Sequence, residues 1–177
     1  EMPYKRIDMD EVKKTYRDII DRTKAAGSGE EQFEIHREYY KFMDDIRTSM
    51  ELAMIRHDID TTDEFYEKES DFYDEVTPII NQYENEYGQV LYDSPYREYL
   101  ESKIGKVTFK NIEIANKAFD EKIIPLMQEE NALSSRYSKL IATAKIPFEG
   151  EIYNLSLMKK FQTSPDREVR RKAWKAV

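Results

Sequence analysis

An all-α fold, a multi-helix lobe interrupted by one small β-hairpin near residues 145–154, is what the amino-acid sequence predicts, and three observations predict it. Apolar residues recur at intervals of three, four and seven over most of the chain, the repeat of one helix face. Ser, Asp and Pro stand where successive apolar stripes begin, and Gly stands where several end. Only after Lys145 does the period fall to two, around Glu149 and Gly150.

The first helix starts at Asp8 or Asp10, either of which can accept hydrogen bonds from free backbone N–H groups, and carries Met9, Val12, Tyr16, Ile19, Ile20 and Thr23 on one face. It ends at Ala25, Ala26 and Gly27. Glu31 follows Ser28 by three residues, the spacing of a capping box, and Tyr39, Tyr40, Met43, Ile46, Met50, Ala53 and Met54 continue at helical spacing. So short a Gly-containing link makes these two helices antiparallel neighbours. Residues 55–66 interrupt the pattern with Asx and Thr residues, after which Phe65, Phe72, Val76, Ile79, Tyr83, Tyr87 and Val90 form a third stripe. Pro78 lies inside it, lacks an N–H and collides with the carbonyl of Asp74, so a kink or break is expected there. Ser94 and Pro95 start a short helix that Gly105 ends, and residues 107–119 give another, with Ile112, Ala115 and Phe119 aligned.

Across residues 123–144, Ile123, Met127, Tyr137, Leu140, Ile141 and Ala144 share a helix face that needs a partner, with Pro125 in the first turns. In the hairpin, Ile146, Phe148, Ile152 and Leu155 alternate with Pro147, Glu149, Glu151 and Asn154. Two strands alone are marginal in water, so these must lie on helices. Gly150 supplies a positive φ at little cost, and Pro147, with no N–H to donate, belongs on an outward-facing edge. Ser164 caps the last helix, Pro165 fits its first position, and Asp166 and Glu168 sit where the helix dipole favours anions. The pattern is still helical at Val177, where no Gly, Asn or Pro closes it, and this leads us to expect a longer protein.

Composition narrows the function classes. A chain of 177 residues suits one domain or lobe and can bury roughly 70% of the surface its unfolded state exposes. With no cysteine there is no disulfide or thiolate chemistry, and a reducing, cytoplasmic setting is favoured. No apolar run is long enough to span a bilayer, and residues 1–10 are too polar for a signal peptide, so no membrane association is expected. A net charge of -8 argues against nucleic acid, and 36% charged residues suit long helices with solvated outer faces.

No catalytic set emerges from spacing. His36 and His57 lack the His-Glu-x-x-His arrangement that places two imidazoles and a carboxylate on one helix face around zinc. His57 lies near Asp58, Asp60 and Asp63, yet one imidazole among loop acids is a turn or capping residue more often than a ligand. Counted from Asp58, Asp60 and Glu69 hold the third and twelfth positions of a calcium loop, but the sixth, normally Gly, is Asp63, already claimed by a helix. Lys159, Lys160, Arg167, Arg170, Arg171, Lys172 and Lys175 make a basic end, which pairing of Asp166 with Arg170 and Glu168 with Lys172 would explain without an anion site. Catalytic and metal residues are therefore none, and substrate-binding residues are left unassigned.

Three stretches together, residues 55–66 (IRHDIDTTDEFY), 140–155 (LIATAKIPFEGEIYNL) and 164–174 (SPDREVRRKAW), resemble the N-terminal region of the oligoendopeptidase F family of zinc metallopeptidases, relatives of thimet oligopeptidase. The opening Tyr4-Lys5-Arg6-Ile7-Asp8-Met9 is similar to that family's start, although a Pro often stands where Ile7 is. The resemblance implies a two-lobed, all-helical cytoplasmic enzyme that closes on short peptides and cleaves them internally, with zinc and its ligands in a C-terminal half outside this chain. Residues 1–163 would then be the helical N-terminal lobe, forming one wall of the cleft, and residues 164–177 the start of a helix leading into the catalytic domain. The implied partners are short peptides and the protein's own catalytic half; separately, Val169, Ala173 and Trp174, on a helix still open at Val177, are expected to leave an exposed C-terminal face through which the chain dimerises. A stand-alone helical interaction scaffold is the alternative, and it would bury Trp174.

Overall fold

A computed structural model describes residues 2–177. Among them are eight α-helices and one two-stranded antiparallel hairpin. By its contacts the chain divides into two compact units, Glu1–Glu129 and Glu130–Val177, so that residue 164 lies inside the second.

The first unit is built from α1 (Met9–Ala25), α2 (Gly29–Ile59), α3 (Glu64–Tyr92), α4 (Arg97–Ile104), α5 (Lys106–Ala118), a 3-10 turn (Glu121–Ile123) and the start of α6 (Ile124–Ala142). The expected cap of α1 forms, Asp8 accepting from the N–H groups of Asp10 and Glu11, and α3 is capped by Asp63, which accepts from those of Phe65 and Tyr66. Ser28 Oγ accepts from Glu31 N at 3.1 Å, but Glu31 reaches back to Gly27 N rather than to Ser28 N, one residue beyond the usual reciprocal bond. Gly105, at φ 104, ends α4 as expected. Ser94 contributes by holding Tyr96 N rather than by standing as the cap itself.

The core of this unit gathers Val12, Tyr16, Ile19 and Ile20 from α1 with Ile35, Tyr39, Met43, Ile46 and Ala53 from α2. Against them stand Tyr73, Val76, Ile80, Tyr87 and Leu91 of α3, Leu100 of α4 and Phe109 of α5. Two expectations need correcting. The stripe of α3 centres on Tyr73 and Ile80, with Phe72 and Tyr83 only partly buried and Phe65 exposed, because four helices rather than one press on it. And α3 does not break at Pro78, which is itself buried. A proline inside a helix costs about 3 kcal/mol. Burying Val76, Ile80 and Leu91 returns roughly 1.5–3 kcal/mol each, so packing on both sides of Pro78 outweighs the local penalty. The N-terminal segment is tied to the same helix: Glu69, 2% exposed, accepts from Arg6 and from the hydroxyl of Tyr4.

The second unit holds the rest of α6, β1 (Ile146–Phe148) paired with β2 (Glu151–Tyr153), α7 (Leu155–Gln162) and α8 (Arg167–Ala176). The turn falls at Glu149 and Gly150 as expected, and both have positive φ, 50 and 91, the backbone that matches the strands' twist. Register sets Ile146 opposite Tyr153 and Pro147 opposite Ile152. Cross-strand partners share a face, so Ile152 points outward beside Pro147 and is 68% exposed, contrary to the simple alternation. Leu155 is not in the strand: Asn154 caps α7 by accepting from Leu157 N at 2.8 Å. The hairpin does lie on helices, for Ile146 and Phe148 pack with Met158 and Ala173. Asp166, not Ser164, caps α8, and with its carboxylate spent on Glu168 N and Val169 N it makes no pair with Arg170. Arg170 instead donates to the carbonyls of Ser164 and Pro165, and Glu168 pairs with Arg171 rather than Lys172. Trp174 is 66% exposed while Ala173 is fully buried.

Candidate functional site

One concavity of the first unit is a groove of about 640 Å³ bounded by α2, α3, α5 and the turn that leads into α6. Periodicity builds its walls. Asn81, Glu84, Asn85 and Gly88 are spaced as one face of α3, and Thr108, Asn111, Ile112, Ala115 and Asn116 as one face of α5. Tyr40 and Arg47 enter from α2, and Phe119, Ile123 and Met127 make an apolar end. That end is fastened to α3 by Gln82 Nε2, which donates to Glu121 at 2.9 Å, and by Gln128 Nε2, which donates to the Glu75 carbonyl at 2.7 Å. Gly88 lets α5 come close: a Cβ there would meet Ile112 Cγ2 at 3.3 Å.

Arg47 and Glu84 face each other at 3.3 Å and cancel each other's charge. What remains is a set of neutral amides. Asn85 Oδ1 and both Oδ1 and Nδ2 of Asn116 are buried without a hydrogen-bond partner, a cost of about 1–3 kcal/mol for each unsatisfied group. A smaller cavity of about 170 Å³ adjoins, sharing Tyr40, Arg47, Glu84 and Gly88, and there His36 is 4% exposed. His36 Nδ1 shares a hydrogen bond of 3.0 Å with the Tyr87 hydroxyl, while Nε2 is buried and unpartnered. Burial pushes the His36 imidazole down to about 4, so it is neutral at physiological pH. Such a groove can bind through hydrogen bonds and apolar contact. It holds no nucleophile with an adjacent base.

The residues singled out in the sequence do not converge. His36 is a core residue of α2, and His57 stands 3.8 Å from Asp58 and otherwise apart. Asp60 accepts from both the N–H and hydroxyl of Thr62, which holds its carboxyl below the usual range; Asp63 caps α3; Glu69 serves Arg6. Among the basic residues, Lys160 lies over the rings of Tyr153 and Phe161. Sequence reading missed the groove asparagines, although a signal was available. Asn81 and Asn85, poor helix formers one turn apart, and Gly88 in a helix interior are all locally unfavourable choices.

Fold and groove together define a class, a helical lobe whose described residues contain no group of three His, Cys, Asp or Glu able to hold a metal. The model of the peptidase M3 N-terminal domain matches residues 1–119, and the chain belongs to that family. No curated protein matches the sequence. Among solved structures, PZ peptidase A with inhibitor 2 is 40% identical, with a TM-score of 0.96 over 99% of this chain and 31% of its own. A Bacillus anthracis protein solved under the name oligoendopeptidase F is 36% identical, with a TM-score of 0.95 over 99% of this chain and 32% of its own. The chain thus spans about a third of the length of the peptidases it matches, and its resemblance to oligoendopeptidase F holds. No helix of the described residues is long and apolar enough to cross a membrane.

Proposed function

We propose that this chain is the N-terminal lobe of a cytoplasmic, zinc-dependent oligoendopeptidase that cleaves short peptides internally, forming one wall of the substrate cleft. The observation that carries the proposal is the match to peptidase structures along 99% of this chain but only 31% of theirs. Zinc does not fit the residues here. His36 is committed to Tyr87, His57 has a single carboxylate neighbour, and the described residues offer no three-ligand group. Metal and general base are accordingly assigned to chain outside these 177 residues, together with the partner surface that completes the cleft. The lobe's own work is binding and exclusion: it holds the peptide and limits its length by bulk. The stand-alone scaffold reading calls for a buried Trp174, and Trp174 is exposed.

Two preparations test the proposal, this chain alone and the polypeptide extended through its natural downstream sequence. The extended protein should cleave a quenched-fluorescent peptide and stop when chelated, while this chain should bind no stoichiometric zinc and turn over nothing. Near-equimolar zinc in this chain, or turnover that survives repurification, would overturn the assignment.

A further inference from the structure

The second unit leaves an apolar helix face in water. None of the residues of α6 is buried, and beyond Glu130 the helix exposes Leu133, Tyr137, Leu140 and Ile141, the first three at 53%, 66% and 68%. Steps of four, three and one keep these side chains within about 100° of one another around the helix axis, so they form one stripe. A solvated outer face does not account for it. Charged residues make up 36% of the chain, yet residues 131–144 contain only Arg136 and Lys139. Asn131, Ser134, Ser135, Ser138 and Thr143 are weak helix formers, and a helix in a protein takes most of its stability from packing its apolar face. The core of the second unit does not supply that packing. Ile146, Phe148, Met158 and Ala173, with Tyr153, Leu155 and Phe161 against them, come from the hairpin, α7 and α8, and no residue of α6 joins them. Resting on the reading of this chain as the N-terminal lobe of a longer peptidase, we infer that the face of α6 formed by Leu133, Tyr137, Leu140 and Ile141 is where that protein's own downstream sequence packs, and that chain outside these 177 residues completes the second unit. Three observations select this occupant. PZ peptidase A matches 99% of this chain with 31% of its own, so a large polypeptide of the same molecule is at hand to cover the face. The model of the N-terminal domain ends at residue 119, ahead of the second unit, which sets residues 130–177 apart from the domain that the family model describes. From Leu133 to Ile141 the stripe carries no charge, the character of a permanent interface, whereas partners that come and go meet more polar surfaces. A tethered segment is also held at high effective concentration, so a single helix face is enough to dock it.

The test is hydrogen exchange read by mass spectrometry, on this chain and on the polypeptide extended through its natural downstream sequence. Amides of residues 131–142 should exchange about a hundredfold or more slowly in the extended protein than in this chain. Equal exchange in the two preparations overturns the inference. Leu140→Lys keeps a good helix former and sets an ammonium on the stripe. In this chain it should leave the melting temperature within about 2 °C of wild type, because Leu140 is exposed, while in the extended protein it should speed exchange across residues 131–142 about tenfold or more, because the charge would be buried. Ala142→Lys, on the opposite side of the helix, should do neither, and equal effects of the two variants overturn the assignment of the face. Should Leu140→Lys keep the extended protein from folding, exchange in the two wild-type preparations decides alone. Sedimentation of this chain covers the rival occupant: a dimer that Leu140→Lys dissociates, with no added protection in the extended protein, makes the occupant a second copy and overturns the inference. A cleavage assay on the extended protein keeps this outcome apart from the peptidase reading. Protection of α6 without hydrolysis overturns the peptidase reading and leaves the interface standing; hydrolysis with α6 unprotected does the reverse.

Discussion

Removing either partner of the Arg6–Glu69 pair should give unequal losses, because the two side chains are buried so differently. Arg6 is 46% exposed and Glu69 2%. In Glu69→Gln the freed guanidinium turns to water while the amide keeps part of the hydrogen bonding, so about 1 kcal/mol should be lost. In Arg6→Met the aliphatic stem still covers Phe72, over which the guanidinium sits at 4.6 Å, but Glu69 is left as a buried carboxylate with only the Tyr4 hydroxyl. Stranding a buried charge costs about 3–5 kcal/mol, and the remaining Tyr4 bond places this case near 3. The two losses must also differ in pH dependence. In the wild type the bonds from Arg6, and secondarily the one from Tyr4, hold the Glu69 carboxyl below its ordinary 4.5 against the effect of burial. A depressed carboxyl contributes stability that is present above the unfolded value and is lost as pH falls through the folded one. Without Arg6, burial dominates and the carboxyl rises, so acid relieves the variant while it weakens the wild type. The loss in Arg6→Met should therefore be about 3 kcal/mol at pH 7 and shrink below about pH 4.5. At about 2–4 °C per kcal/mol this is a fall of roughly 6–12 °C at neutral pH, read by circular dichroism melts at pH 7 and 3.5. Equal losses in the two variants, or an Arg6→Met loss unchanged at pH 3.5, would refute the reasoning.

Other perturbations have definite expected outcomes. Gly29→Ala improves helix propensity by about 1 kcal/mol, but its Cβ would stand 2.7 Å from Tyr99 Cδ1 and 3.1 Å from Tyr99 Cβ, so α4 must shift and a net loss of about 1–2 kcal/mol is expected in urea unfolding. Asn154→Ala removes the cap of α7 and should cost about 1 kcal/mol, with hydrogen exchange accelerating at Leu157 first. Trp174→Glu should leave the stability within about 0.5 kcal/mol of wild type because the ring is 66% exposed, and should weaken any self-association seen by sedimentation. A large loss of stability there would mean that the indole is packed in solution.

Helix starts and the hairpin were legible because both are near-neighbour properties. Asp8 and Ser28 need only the next two or three N–H groups, and a two-residue turn needs only Glu149 and Gly150. The family was legible through stretches of ordinary residues at set separations, with no catalytic signature among them. The continuity of α3 through Pro78 could not be read locally, since what holds it is apolar surface delivered by other helices. The same is true of the outward turn of Ile152, which follows from its partner Pro147 rather than from its neighbours. α7 went unseen because eight residues after a strand carry too short a pattern to announce a helix, and its cap, Asn154, reads equally well as a turn residue. The groove was least legible of all. Asn85 and Asn116 belong to different helices and line one groove where Gly88 allows α3 and α5 to approach, with Ile112 Cγ2 3.3 Å from where a Cβ would stand. A carboxamide's partner, or its lack of one, is a property of the assembled walls; no spacing along one strand of sequence carries it.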